Sequence, residues 1–290
     1  MNREIEQVTC ALCSSNETQV LEDKTRLLRL PEPFKVVRCS RCGLVYMNPR
    51  DLRAETYERS YYEGWNYIKY EEGRSRAYYV DKYFRLENLL PYRGAVLDLG
   101  CGGGHFLNVG KQRGWRVFGM ETSDWAIGYA KKRFGLDIVK ACAEAPPFTT
   151  DSFDVVVFHH VLEHFADPGA TLDRIRCLIK KDGILLVEVP NEFNDLLFLV
   201  SGEWGRRRYY PSPGPVFHHV YFFTCQTITR LLENHGFSVI YISTMNRKLF
   251  LTSELPLGKF AKRVFYTLGG LFGRGPFIEV IARNSSELKA

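Results

Sequence analysis

The segment Ala95-Val96-Leu97-Asp98-Leu99, followed by Gly100-Cys101-Gly102-Gly103-Gly104, constrains the fold of this 290-residue chain more than any other stretch. A short apolar run that stops at glycines reads as a strand buried on both faces, the habit of a parallel sheet. Four of the five residues 100–104 are glycine. Lacking Cβ atoms, such a bend can turn sharply and bring its backbone against a ligand. His105-Phe106-Leu107-Asn108-Val109 then starts a helix. Strand, bend and helix start together form a nucleotide site at the carboxyl edge of a parallel sheet. The bend is not a Walker loop, since no Gly-Lys-Ser/Thr follows. Gly100, Gly102 and Gly103 follow G-x-G-x-x-G only as far as His105.

In such a site an acidic residue about twenty positions on holds the ribose hydroxyls. The second strand, residues 115–120, is followed by Glu121. This layout resembles the class I S-adenosylmethionine-dependent methyltransferases, in which D/E-x-G-x-G-x-G opens the cofactor site and the acid after the second strand takes the ribose. Asp98, Gly100, Gly102 and Gly104 match that pattern in place. The resemblance implies a doubly wound α/β fold with a seven-stranded, mostly parallel sheet, and S-adenosylmethionine as cofactor. The cofactor set it implies is Asp98, Gly100, Cys101, Gly102, Gly104, Glu121 and Thr122. It adds backbone groups of Cys142 and Ala143 at the adenine, where the family often has an Asp in place of Cys142. An ordinary glycine-rich turn of an α/β protein is the plainer alternative.

The chain offers a second site at its start. Cys10-Ala11-Leu12-Cys13 and Cys39-Ser40-Arg41-Cys42 are two C-x-x-C pairs, and Gly43 permits the tight turn of a knuckle. Four thiolates close a tetrahedral zinc site with no open position, so Cys10, Cys13, Cys39 and Cys42 are expected to hold a structural zinc. Residues 36–38 and 44–46 flank the second pair as short strands of a zinc ribbon. The gap between the pairs is slightly longer than the usual 15–20 residues. So short a segment buries little apolar surface, and metal binding supplies its folding energy.

Composition sets the remaining bounds. Apolar residues make up 45% of the chain, enough for a large core, and the net charge of +6 is modest. Arg206-Arg207-Arg208 is the one tight basic cluster, and a solvated loop explains it as well as a phosphate partner does. No apolar run reaches the roughly 18 residues of a membrane span. The polar amino end is no signal peptide, and eight cysteines without one suit a reducing compartment, so the expected location is the cytoplasm. The domain reading is a zinc ribbon over 1–50, a helical lid or linker over 51–92 and a cofactor-binding domain over 93–290, in which 191–223 is an insertion above the substrate.

In the lid, tyrosines between 57 and 70 either pack on ligand or hold a helix to the core. Residues 76–90 have helical periodicity. Further helices are expected over 124–134, capped by Ser123 or Asp124 and ended by Gly135, over 170–179, and over 226–234, capped by Thr224. Strands are expected over 137–139, 152–158, 184–189, 236–242 and 277–283, with 181–183 a turn. An amphipathic helix over 256–272 packs on the core or rests on a membrane or lipid acceptor, core packing being preferred. The tail from Asn284 is expected to be disordered.

The fourth strand ends in His159-His160-Val161-Leu162-Glu163-His164, close to the family's strand-four signature. His159 is expected to contact cofactor. His164 is either a site residue or a histidine bonded to backbone. The run L-x-x-K-x-G-x-L-x-x-x-V-P-N over residues 178–191 narrows the resemblance to the small-molecule branch that includes ubiquinone-type and sugar methyltransferases. Ahead of the helix capped by Thr224 stands His218-His219-Val220-Tyr221-Phe222-Phe223, where family members often carry His-x-x-Phe-Thr/Ser. The expected general base is His219, with His218 behind it, weighed equally against a structural histidine. The resemblance therefore implies methyl transfer to a small acceptor, a sugar, saccharide or lipid-linked hydroxyl, with a carbon nucleophile second. Two alternatives stay open. One is an RNA or tRNA methyltransferase, against which the Asn/Asp-Pro-Pro-Tyr/Phe signature is missing. The other is a non-catalytic module on the same fold. Nucleic acid is not the expected partner.

Overall fold

The structure, a computed structural model, describes residues 5–51, 76–202, 206, 219–244, 267, 269–270 and 272–285. The expected lid tyrosines at 57–70, His218, Arg207, Arg208 and most of the helix expected over 256–272 lie outside them.

Seven strands form one sheet in the order β12 (Phe237–Ser243), β13 (Phe277–Asn284), β10 (Ile179–Pro190), β9 (Phe153–His159), β6 (Ala95–Leu99), β7 (Arg116–Glu121), β8 (Ile138–Lys140). From β10 to β8 every pairing is parallel, and β13 runs antiparallel to both β10 and β12. The expected fold class is the one observed. Every residue of β6 is buried, as is β9 up to His159, because helices cover both faces. Helices Arg76–Leu89 and His105–Gln112 cover one face through Tyr83, Leu86, Phe106 and Leu107. Helices Pro168–Leu178 and Cys225–Asn234 cover the other through Leu172, Ile175, Ile228 and Leu231.

Capping residues fix where these helices begin. The Ser123 hydroxyl accepts from Ala126 N at 3.4 Å, and Thr224 and Thr227 bond reciprocally. The helix expected from residue 170 starts at Pro168, because the Asp167 carboxylate accepts from Ala170 N at 2.9 Å and proline suits the first helical position. The expected turn at 181–183 is instead an irregularity inside β10. Ile179 pairs with Phe153, the register shifts, and pairing resumes at Ile184 with Val155. Asp182 takes a φ of +61° to allow it. Asn284, expected at the start of a disordered tail, ends β13, and its side-chain amide donates to Ile179 O at 2.8 Å.

The near end of β6 is pinned by Asp154 of β9. Its carboxylate accepts from Ala95 N at 2.7 Å, Tyr92 Oη at 2.8 Å and Lys180 Nζ at 2.9 Å. Burial raises the Asp154 pKa, but these donors outweigh it and hold the carboxyl below its ordinary value.

The amino-terminal segment is joined to this domain through backbone. Strands β2 (Thr18–Val20), β3 (Val36–Cys39) and β4 (Val45–Met47) form an antiparallel sheet, and β11 (Tyr221–Phe222) completes its edge against β4. A smaller pair joins β1 (Ile5–Glu6) to β5 (Arg50–Asp51). Met47 N donates to Val220 O, and Val220 N donates to Glu163 O, both at 2.9 Å. Leu12, Val37, Leu44 and Tyr46 belong to the same apolar core as Leu97, Phe158 and Ile228.

Candidate functional site

At the carboxyl ends of β6 and β7 the glycine bend closes on Glu121. Gly100, Gly102 and Gly104 have φ of +70°, +50° and +77°, conformations that L side chains rarely adopt. At Gly100 and Gly104 neighbouring side chains also crowd the place of a Cβ. A Cβ on Gly100 falls 2.7 Å from Val161 Cγ2, and one on Gly104 falls 2.8 Å from Leu136 Cδ1. The Glu121 carboxylate accepts from Gly102 N at 2.9 Å through Oε2, and from Thr122 N at 2.7 Å and Ser123 N at 3.0 Å through Oε1. Glu121 is thus locked in place, and each oxygen keeps further acceptor capacity. The chain after β8 returns beside it, with Ala141 N donating to Glu121 O at 3.2 Å and bringing Cys142 and Ala143 to this edge. The Cys142 thiol bonds Glu144. Cys101 turns inward, and burial pushes its thiol well above the ordinary value, so what it can offer the edge is backbone.

Asp98 is buried at the end of β6, with Oδ1 3.7 Å from His159 Nδ1. The His159 ring packs edge-on against Phe106 at 4.7 Å between centroids. A glycine-rich bend, a fixed carboxylate at the second strand and a buried carboxyl group beside the bend fit a nucleoside donor.

A second cluster lies where β9 and β10 end. The one-turn segment Leu162–His164 and the segment before β11 bring His164 and His219 face to edge, with ring centroids 4.8 Å apart. Glu163 Oε1 stands 3.9 Å from Nε2 of each ring and 3.7 Å from His160 Nδ1. Burial raises the Glu163 pKa, but the surrounding histidines outweigh it and hold the carboxyl below its ordinary value. On its other side His219 bonds Glu192 through Nδ1. His160, with φ +56°, reaches Glu188 Oε1 through Nε2 at 3.1 Å. Strain of this kind in a non-glycine residue collects at functional sites. Behind it, Lys82 Nζ lies 2.8 Å from Glu188 Oε2 and also meets Glu279, while Tyr78 donates to Glu188.

Sequence reasoning placed His164 and His219 as candidates, and the structure brings them together. It missed the carboxylates between and behind them: Glu163, Glu192 and Glu188. A signal was present for Glu188, an acid in the middle of the apolar run 184–189.

The four cysteines converge. Cys10 and Cys42 Sγ are 3.4 Å apart, Cys13 and Cys39 Sγ 3.5 Å, and all four sulfurs lie within 4.8 Å of one another. A disulfide needs about 2.05 Å. Sulfurs about 2.3 Å from a tetrahedral zinc stand roughly 3.8 Å apart, so the set fits zinc after small outward shifts. Burial raises the Cys39 thiol, but the Cys42 and Arg41 backbone N–H groups outweigh it and hold the pKa at about 7.

A methyltransferase-domain family profile matches residues 70–242, more than half of the chain. The chain belongs to this methyltransferase family. It is 34% identical over 127 residues to a ubiquinone biosynthesis O-methyltransferase of Cereibacter sphaeroides, covering 41% of this chain and 51% of that one. A protein of the same description from an Azoarcus species is 32% identical over 159 residues, covering 52% and 66%. The methyltransferase thus spans about half to two thirds of the length of these curated relatives. Among solved structures it resembles S-adenosylmethionine-dependent methyltransferases of Archaeoglobus fulgidus (TM-score 0.54, 22% identity, 75% of this chain and 99% of that one) and Thermotoga maritima (TM-score 0.53, 19% identity, 79% and 98%). Among the described residues no helix is long and apolar enough to cross a membrane.

Proposed function

We propose that this methyltransferase methylates a hydroxyl oxygen of a small acceptor, with sugars, saccharides and lipid-linked alcohols as the classes to try first. S-adenosylmethionine supplies a methyl group already activated on a sulfonium, so the protein's task is alignment and removal of one proton. Glu121 takes ribose hydroxyls, the glycine-rich bend at 100–104 receives the nucleoside, and Asp98 with His159 borders it. The acceptor oxygen gains the methyl as the sulfur–methyl bond breaks, the electron pair stays on sulfur, and the acceptor proton leaves at the neighbouring cluster.

The observation that carries the reading is the convergence of His164, Glu163 and His219 where β9 ends, at the same sheet edge as Asp98 and the bend. His219 is the residue on which deprotonation depends, because Glu192 holds its Nδ1 and leaves Nε2 turned toward the cluster. The curated relatives are O-methyltransferases, which supports oxygen over carbon. Four cysteine sulfurs hold a structural zinc that folds the ribbon. The test is a panel of hydroxyl acceptors with the cofactor, followed by His219→Ala. Turnover should fall by about 10²–10⁴-fold while affinity for S-adenosylhomocysteine stays unchanged. Unaltered turnover would overturn the role of His219.

A further inference from the structure

We infer that Glu163, His164 and His219 together bind a divalent cation of the kind that imidazole and carboxylate share, such as zinc, cobalt(II) or manganese(II). One ligand atom from each of the three lies within 4.8 Å of the others. Glu163 Oε1 is 3.9 Å from each imidazole Nε2, beyond hydrogen-bond reach. Ligands about 2.1 Å from one ion stand roughly 3.0–3.4 Å apart, so each 3.9 Å pair must close by about 0.5–0.9 Å.

Three further features point to a bound ion. Glu163 is 1% exposed, and neither of its carboxylate oxygens has a hydrogen bond among the described residues. A buried carboxylate left this way is costly unless a cation faces it. The charged or titratable partners recorded for Glu163 among the described residues are His160, His164 and His219, with no lysine or arginine. Finally, Glu192 holds His219 through Nδ1, which fixes the ring with Nε2 on the side of Glu163. A carboxylate behind a histidine is the usual outer partner of a metal-bound imidazole.

Two imidazoles and one carboxylate leave coordination positions open, as in catalytic rather than structural sites. Resting on the reading that the acceptor loses its proton at this cluster, the ion's role is to hold the acceptor hydroxyl and make that proton more acidic. The set differs in kind from the four closed thiolates of the ribbon, and spectroscopy separates the two.

The test uses the full chain with its four cysteines loaded with zinc. Titration with cobalt(II) should add about one equivalent with weak visible bands and no thiolate charge-transfer band in the near ultraviolet. Zinc and manganese(II) should compete for it, and magnesium, which favours oxygen ligands, should not. Glu163→Gln, nearly isosteric, and His164→Ala should abolish this equivalent while S-adenosylhomocysteine binding persists. Glu192→Gln should weaken it by about 10–100-fold. Cobalt appearing only with thiolate charge transfer, or an equivalent that survives Glu163→Gln, overturns the proposal. If His219→Ala still abolishes turnover in that case, the proposed methyl transfer stands and His219 is itself the base.

Discussion

Gly100→Ala tests how tightly the glycine bend is tied to the segment carrying Glu163 and His164. Two costs add. The residue sits at φ +70°, where a side chain costs about 1–2 kcal/mol. The new methyl also falls 2.7 Å from Val161 Cγ2, which forces Val161 aside for about 1–3 kcal/mol more. The sum, about 2–5 kcal/mol, is a large part of a domain's usual 5–15 kcal/mol yet leaves the protein folded. A second substitution separates the terms. Val161→Ala removes the obstructing methyl, so Gly100→Ala with Val161→Ala should recover the steric part and leave the backbone part. Urea unfolding of the wild type, both single variants and the double variant forms a cycle, and a favourable coupling of about 1–2 kcal/mol is expected. Additivity within about 0.5 kcal/mol would refute the steric argument, and a neutral Gly100→Ala would refute both.

Other outcomes follow from the same contacts. Glu121→Gln should weaken S-adenosylhomocysteine by about 10–100-fold in calorimetry, since hydrogen bonds to a charged acceptor are worth about 1.5–3 kcal/mol and an amide keeps only part of that; unchanged affinity would remove Glu121 from the ribose. Asp154→Asn should destabilise by about 2–4 kcal/mol through the lost bonds to Lys180 and Ala95. Because the folded carboxyl titrates below its ordinary value, its contribution is full above about pH 4 and is lost as pH falls through the folded pKa. The variant's deficit in urea midpoint should therefore shrink below about pH 4, and a deficit independent of pH there would contradict the charge argument. Titrating the thiols with a mercurial should release about one zinc per chain and lower both the thermal midpoint and turnover. Zinc loss with both unchanged would detach the ribbon from the site.

The parallel half of the sheet was legible because each strand is buried on both faces and writes itself as an apolar run, as at 95–99 and 153–158. The bend was legible because its backbone conformation demands glycine, and Glu121 because an acid stands at a fixed interval after it at the end of the second strand. The paired cysteines declared their convergence by spacing. What stayed hidden depends on contacts distant in sequence. Nothing in Tyr221-Phe222 says that it pairs with Val45-Tyr46, and nothing near Glu192 names His219 as its partner. At 181–183, Lys-Asp-Gly looks like a turn, yet β10 continues across it because its neighbour β9 supplies pairing on both sides.

The strand that completes the ribbon comes from far along the chain. During synthesis the two cysteine knuckles emerge early and can capture metal, but the β4 edge stays open until Tyr221 and Phe222 leave the ribosome. Completion of the amino-terminal sheet therefore waits for most of the seven-stranded domain to be made. A ribbon cut away and grafted elsewhere would carry a bare, association-prone edge.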